Sequence, residues 1–525
     1  MIPCHVTLDP TFTRADVPRR LFGSLVEHMG RCVYGGIFEP GHPESDVDGS
    51  RVDVIKLSRE LGVSVVRYPG GNFVSGYQWE DGVGPIDQRP ARLNLAWKSG
   101  EPNTFGLNEF MRWCEQLGAE PMMAVNLGTR GVQDACNLLE YANHPGGSYW
   151  SDLRRSHGVE EPYGIKLWCL GNEMDGPWQI GHKSAKEYGQ LAAQTARAMR
   201  MVDPSIELVA CGSSTPQMPT FGTWEATVLK HTYDVVDYIS VHAYFKHDPD
   251  DRPGWLASAV AMDSFIHGVV ATADHVGAVR QSRRRLKLSF DEWNVWYDGR
   301  TQAESTTWVK DPRLIQESYD VEDAVVVGSL LMSLLRNADR VEVAAFAQLV
   351  NVIAPIRAES DSSAWRQTTF FPLSLTARYA RGHVSHTQAS VATVPTRELG
   401  DVPAADVVAT HDPETGGLTV FAVNRHETEQ VALELTVGPF GALEVIEHTV
   451  FGGVELEAVN SREEPERVAV AARAYQPGCP GRRDGARHLA AHLMDHAAAR
   501  GPTCSLSVTR SRGASSLGWN RARHG

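Results

Sequence analysis

Ile165-Lys-Leu-Trp-Cys-Leu170 and Ile206-Glu-Leu-Val-Ala210 flank a helical stretch, and the reading of residues 165–210 decides the fold. Each flanking run is short and mostly apolar, the pattern of a strand buried on both faces of a parallel sheet. Between them, Ser184-Ala-Lys-Glu187 matches a capping box, in which Ser184 and Glu187 each satisfy a free backbone N–H. The helix it opens carries Tyr188, Leu191 and Ala192 and stops at Asp203-Pro204. Strand, helix, strand in this order make a β-α-β unit.

The same alternation extends in both directions. Apolar runs recur at Leu21 to Glu27, Val63 to Pro69, Pro121 to Asn126, Ile165 to Leu170, Ile206 to Ala210, Val236 to His242, Leu286 to Phe290 and Val341 to Gln348. Helices are predicted over Arg51 to Leu61, after a cap at Thr104 (with Leu107, Phe110, Met111 and Cys114 inward), and over Val321 to Leu335. Eight β/α units predict an α/β fold, a (β/α)8 TIM barrel with enlarged loops; an open doubly wound sheet is the alternative.

Past Ile356 the texture changes. Leu418-Thr-Val-Phe-Ala-Val423 and Val431-Ala-Leu-Glu-Leu-Thr-Val437 predict a C-terminal antiparallel β-sandwich, jelly-roll-like, which the segment His5 to Leu8 can join. The expected organisation is residues 1–20 joining the sandwich, 21–375 the catalytic barrel, 376–475 the sandwich and 476–525 an atypical tail. That tail holds eight Arg, two Asp and neither Lys nor Glu, with no clear strand pattern. It reads as a basic arm for a partner, an altered C-terminus or a disordered end.

Composition removes several classes of function. Over 525 residues, 42% are hydrophobic and 22% charged, enough for a large core. A formal net charge of −14 argues against a nucleic-acid or anionic-membrane partner, both of which need a basic face. No apolar run is long enough for a bilayer span, and Met1 to Arg20 carries no secretory signal pattern, so a cytoplasmic protein is expected. The eight cysteines are scattered without a C-x-x-C pair, which suits reduced thiols.

In a parallel barrel the chemistry sits where strands end. The fourth run ends in Trp168-Cys-Leu-Gly-Asn-Glu173 and the seventh in Leu288-Ser-Phe-Asp-Glu292. Two glutamates so placed face each other across the barrel mouth. Paired carboxylates suit glycoside hydrolysis: one is neutral and protonates the leaving oxygen, and the other is ionised and attacks the anomeric carbon.

Further motifs sharpen this. Trp168-Cys-Leu-Gly-Asn-Glu-Met-Asp-Gly-Pro-Trp-Gln179 and Asp291-Glu-Trp-Asn-Val-Trp-Tyr297 resemble the acid/base and nucleophile segments of the α-L-arabinofuranosidases of glycoside hydrolase family 51. Phe22-Gly-Ser-Leu-Val-Glu-His28, Arg67-Tyr-Pro-Gly-Gly-Asn-Phe73, Val241-His-Ala-Tyr244 and Ala347-Gln-Leu-Val-Asn-Val352 also match, in the family's order, over roughly residues 3–470. The resemblance implies Glu173 as general acid/base and Glu292 as nucleophile of a retaining, exo-acting enzyme. Its substrate would be terminal α-L-arabinofuranosyl groups of arabinan or arabinoxylan oligosaccharides, with no cofactor and a hexameric assembly. It implies Glu27, Asn72, Asn172 and Gln348 as contacts to sugar hydroxyls, with Trp97 and Trp296 lining the pocket and His242 and Tyr244 beside the nucleophile strand. Tyr244 would hydrogen-bond Glu292, and Arg67 would orient it or a neighbour, although Arg67 reads equally as a structural ion-pair residue.

His242 lacks a paired ligand spacing, so a metal site is not expected. Gly70-Gly71 has no Gly-Lys-Ser/Thr after it and reads as a turn that brings Asn72 into the cleft, not as a phosphate loop. β-Xylosidase or endoglucanase activity on the same barrel and a non-catalytic sugar-binding homologue are the alternatives. The family's closing sandwich strand is not evident after residue 470, and Leu517-Gly-Trp-Asn520 is only a faint echo of it. Its loss would leave an open sheet edge and lower stability.

Overall fold

The computed structural model describes residues 1–297, 308–441, 443–452 and 454–472 and the strands at 487–495 and 505–509. Eight parallel strands close into a barrel: β1 (Gly23–Leu25), β2 (Val65–Tyr68), β3 (Glu120–Val125), β4 (Leu167–Leu170), β5 (Glu207–Ala210), β6 (Tyr238–Phe245), β7 (Lys287–Val295) and β8 (Val341–Ala347). Every predicted run becomes a barrel strand, and the open sheet is excluded because β8 pairs with β1.

The period of two along each strand sorts the core into two layers. Val65, Met122, Ala124, Leu167, Cys169, Val209, Tyr238 and Val343 form one buried cluster inside the barrel. Their neighbours Val66, Met123, Val125, Trp168, Leu170 and Leu208 pack outward with the surrounding helices. Burial on both faces is why these strands read as apolar runs.

The helix after β4 spans Ala185–Val202, and its capping box forms: the Glu187 backbone N–H donates to Ser184 Oγ at 3.4 Å, and the Ser184 N–H to Glu187 Oε2 at 3.1 Å. The expected cap at Thr104 does not form. The helix Leu107–Leu117 starts after Gly106, whose N–H donates to Glu109 Oε2 at 2.9 Å. Phe105 is buried, and the left-handed Asn103 (φ 56°) turns the chain before the helix begins.

Beyond the barrel lie a four-stranded and a seven-stranded sheet. Cys4, Val6 and Leu433 from the first meet Val407, Ala409 and Val420 from the second in one apolar cluster, the interior of a sandwich. Pairing is mixed instead of wholly antiparallel: Ile2–Thr7 runs parallel to Val431–Thr436. No hairpin joins strands so far apart in sequence, so nothing local imposes the antiparallel direction. The helix Phe370–Tyr379 crosses the expected boundary at residue 375.

Two strands lie in the stretch that shows no clear strand pattern in the sequence. Arg487–Asp495 lies between Gly417–Asn424 and Leu443–Gly452, parallel to both, and Ser505–Thr509 adds to the edge of the four-stranded sheet. The segment 487–495 holds no β-branched or aromatic residue, so propensity gives no signal; its place comes from two neighbouring strands with backbone groups to satisfy. Leu517-Gly-Trp-Asn520 lies outside the described residues.

A buried charge cluster joins the sandwich to the barrel. Asp406 accepts from Arg336 at 2.8 Å and from Arg425, while Ser329 donates to it at 3.2 Å. Burial works against the Asp406 charge, but Arg336 and Arg425 outweigh it and hold the carboxyl well below its ordinary range. Asp406→Ala strands two guanidiniums and should cost about 3 kcal/mol of unfolding free energy, read from the shift of the urea midpoint.

Candidate active site

The C-terminal ends of the barrel strands carry a polar constellation above the apolar interior. Arg67, inside β2, is 1% exposed. Its Nη1 donates to Glu292 Oε1 at 2.7 Å and its Nη2 to Asn172 Oδ1 at 2.8 Å, and its Nε lies 3.6 Å from Asp291 Oδ2. One guanidinium thus links strands two, four and seven.

Asp291 and Glu292 are adjacent, and strict alternation would send them to opposite faces. Both reach the barrel axis because β7 carries a bulge there. Phe290 pairs with Ala344 and Trp293 with Phe346, so three steps along β7 match two along β8. On the other side, Ser240 and His242 of β6 pair with Ser289 and Glu292. One extra residue in β7 re-aims the side chains at the active end.

After β4 the chain turns at Gly171, and Glu173 takes a left-handed backbone conformation, φ 43°. That conformation is strained for a residue with a Cβ. Glu173 Oε1 meets His242 Nδ1 at 2.9 Å, and its Oε2 accepts from Trp178 Nε1 at 2.6 Å. The other His242 nitrogen, Nε2, meets Asp291 Oδ1 at 2.9 Å. Tyr244 donates its hydroxyl to Glu292 Oε2 at 2.9 Å.

Glu27 forms the opposite wall. Its Oε1 accepts from the Phe73 N–H and from Trp97 Nε1, both at 2.9 Å, and its Oε2 from Gln348 Nε2 at 3.2 Å. Gly70 and Gly71 are required here. A Cβ on Gly70 would lie 2.2 Å from Glu27 Cγ, and one on Gly71 would lie 2.9 Å from Glu27 Oε2 and 3.1 Å from Glu292 Oε1. The turn delivers Asn72, whose Oδ1 accepts from Asn172 Nδ2 at 3.3 Å. Trp296 packs edge-on against Tyr244 with ring centroids 5.5 Å apart. Asn72, Trp97, Tyr244 and Trp296 are half-buried and border the mouth.

The electrostatics follow from burial. Burial pushes the Glu292 carboxyl above its ordinary range; the His242 charge opposes this, Glu173 adds to it, and Arg67 and the Tyr244 hydroxyl oppose it. Glu27 is pushed up to about 7 by burial and by the Glu292 charge. For His242, burial disfavours the cation, but Glu292 and the hydrogen bonds to Asp291 and Glu173 prevail and raise it to about 10. Asp291, although buried, is held below its ordinary value by Arg67 and His242.

Glu173, His242 and Glu292 place one ligand-type atom each within 4.8 Å of one another. Both His242 ring nitrogens face carboxylates, which leaves no free lone pair for a metal ion.

All eleven residues singled out from the sequence therefore gather at one end of the barrel. Three others join them: Asp291, Trp178 and Gln179. Gln179 donates to Ser75 Oγ at 2.5 Å beneath Asn72. All three lie inside motifs already read, but only the bulge and the turn after Glu173 reveal where they point. The raised His242 value sets a pH dependence. A group raised on folding stabilises fully below its unfolded value, about 6.5, and loses that contribution as pH climbs through the folded one. The stability difference between the wild-type protein and His242→Gln should therefore shrink from about pH 6.5 to pH 10 in pH-resolved urea titrations.

Comparison with known proteins points the same way. The family model described as the α-L-arabinofuranosidase 1 domain matches residues 57–252, and the α-L-arabinofuranosidase C-terminal domain matches residues 291–477. The intracellular exo-α-(1→5)-L-arabinofuranosidase of Streptomyces lividans is 58% identical over 472 residues, covering 89% of this chain and 71% of the relative. The exo-α-(1→6)-L-arabinofuranosidase of Bifidobacterium longum is 51% identical over 479 residues, covering 89% of this chain and 91% of the relative. The solved structure of a family 51 α-L-arabinofuranosidase from Bifidobacterium longum superposes with a TM-score of 0.86 at 45% identity, covering 89% of this chain and 94% of that one.

Proposed function

Because the chain belongs to the α-L-arabinofuranosidases of glycoside hydrolase family 51, we propose that it acts by a retaining mechanism with Glu292 as its nucleophile and Glu173 as its general acid/base. The protein is an exo-α-L-arabinofuranosidase, and its site explains how the reaction runs.

The observation that carries the assignment is the separation of the two carboxylates, with oxygens within 4.8 Å of each other. Inverting enzymes need about 6.5–9.5 Å to seat a water between carboxyl and sugar; retaining enzymes need about 5–5.5 Å. The narrow gap supports double displacement. Glu292 attacks the anomeric carbon while Glu173 gives its proton to the leaving oxygen. A water then enters, Glu173 takes its proton, and the glycosyl ester on Glu292 breaks with net retention.

Local charge supports the first of these steps. Arg67 and His242 set positive charge beside Glu292, and His242 bridges Glu173 and Asp291. Arg67, His242 and Tyr244 favour the ionised, attacking form of Glu292.

We assign Glu27, Asn72, Asn172 and Gln348 to the sugar hydroxyls and Trp97 and Trp296 to the pocket walls. His242 and Tyr244 hold the carboxylates, and Arg67 supports them. The substrate class proposed is short arabinan- or arabinoxylan-derived oligosaccharides with terminal non-reducing α-L-arabinofuranosyl groups, in an intracellular setting and a hexameric assembly. Names of several relatives support the setting, and they print both α-(1→5) and α-(1→6) linkages; size-exclusion chromatography with light scattering tests the assembly.

Glu292→Ala should abolish release of p-nitrophenol from p-nitrophenyl α-L-arabinofuranoside. Glu173→Ala should lower kcat/KM by about a hundredfold or more on an α-(1→5)-linked oligosaccharide, whose leaving group needs protonation, and far less on the nitrophenyl glycoside. Equal losses on both substrates would remove Glu173 from the acid role.

A further inference from the structure

His28 directly follows Glu27 but points the other way, into the barrel wall. It stacks on Phe73 with ring centroids 4.7 Å apart and is 3% exposed. Its Nδ1 meets Glu101 Oε2 at 2.9 Å and its Nε2 meets the Tyr68 hydroxyl at 2.8 Å. Glu101, 4% exposed, also accepts from the Tyr34 hydroxyl and from the Asn103 N–H at 2.8 Å. Although buried, its carboxyl is held below its ordinary value by His28, Tyr34 and Asn103.

Glu101 ends a small hairpin, Arg92–Asn94 paired with Ser99–Glu101. The other leg is also tied to His28: Asn94 Nδ2 donates to the His28 carbonyl at 2.7 Å, and Asn94 Oδ1 accepts from the Trp97 N–H at 3.2 Å. Trp97 sits at the hairpin tip and donates its indole N–H to Glu27 at 2.9 Å. Both legs of the hairpin are therefore fastened to one residue, and its tip to the residue before it.

We propose that His28 and Glu101 are a positioning pair, which locks the 92–101 hairpin onto the end of β1 and so holds the Trp97 indole on Glu27 where the sugar binds. This rests on the reading of Glu27 and Trp97 as sugar contacts. Neither His28 nor Glu101 touches the reacting atoms; they act through Trp97. A buried carboxylate with three hydrogen-bonding partners is costly to place unless its geometry is kept, and a two-strand hairpin is marginal by itself.

The test combines kinetics with a probe of the indole. Glu101→Gln should raise KM for p-nitrophenyl α-L-arabinofuranoside about tenfold with kcat within about twofold, the mark of lost uniform binding. Trp97→Phe should do the same, and the double variant should be no worse than Trp97→Phe alone, because both act through one N–H. In protein labelled with 5-fluorotryptophan, the Trp97 fluorine resonance, identified by its absence in Trp97→Phe, should shift and broaden in Glu101→Gln. An unchanged resonance, or KM effects that multiply in the double variant, would overturn the proposal. A shifted resonance with KM unchanged in both single variants would support the positioning pair and overturn the reading of Trp97 as a sugar contact.

Discussion

Arg67 is the interaction on which the rest of the active end depends. A guanidinium 1% exposed inside a barrel is tolerable only if anions and acceptors surround it. It finds them in Glu292 and Asp291 of strand seven and in Asn172 after strand four, so satisfying one buried cation ties Glu292 to the turn that carries Glu173. Burial raises the value of each contact and the penalty for losing one.

Around this centre the polar groups fall into two sets. One set, with Arg67, His242, Tyr244 and Asp291, orients the carboxylates from within strands, where packing fixes rotamers. The other, with Asn72, Trp97, Asn172 and Gln348, comes from loops that follow strands and is held by ties to Glu27 and its neighbours. A barrel separates stability from chemistry in this way: the apolar layers beneath hold the strands, and the loops above are free to carry function. The sandwich is bound to the same frame through Asp406 and the helix Val321–Arg336, so the two parts share a buried charge cluster as well as apolar contacts.

The parts legible in the sequence share a physical cause. Barrel strands are buried on both faces, so each was visible as an apolar run, and the capping box at Ser184 is a local hydrogen-bond pattern that needs no tertiary contact. The glutamates at 173 and 292 stood at strand ends, where parallel barrels keep their chemistry. The strand at 487–495 was invisible for the opposite reason: its residues have no strand preference, and only two partners far away in sequence place it. Thr104 is not the cap because the helix begins two residues later, after Gly106, whose N–H is satisfied by Glu109.

What the sequence determined by itself is the alternation of buried strands and amphipathic helices, and with it which end of which strand each reactive residue would occupy. It also carried the ordered motifs by which the family is recognised. Only the tertiary structure decided how those residues meet. Alternation alone separates Asp291 from Glu292, and a bulge defined by pairing with both neighbouring strands puts them on one side. Distances, ionisation and the tie from His28 through Glu101 to Trp97 are likewise products of packing. A chain encodes local preference residue by residue, but burial, charge balance and register belong to pairs of residues brought together only by the closed barrel.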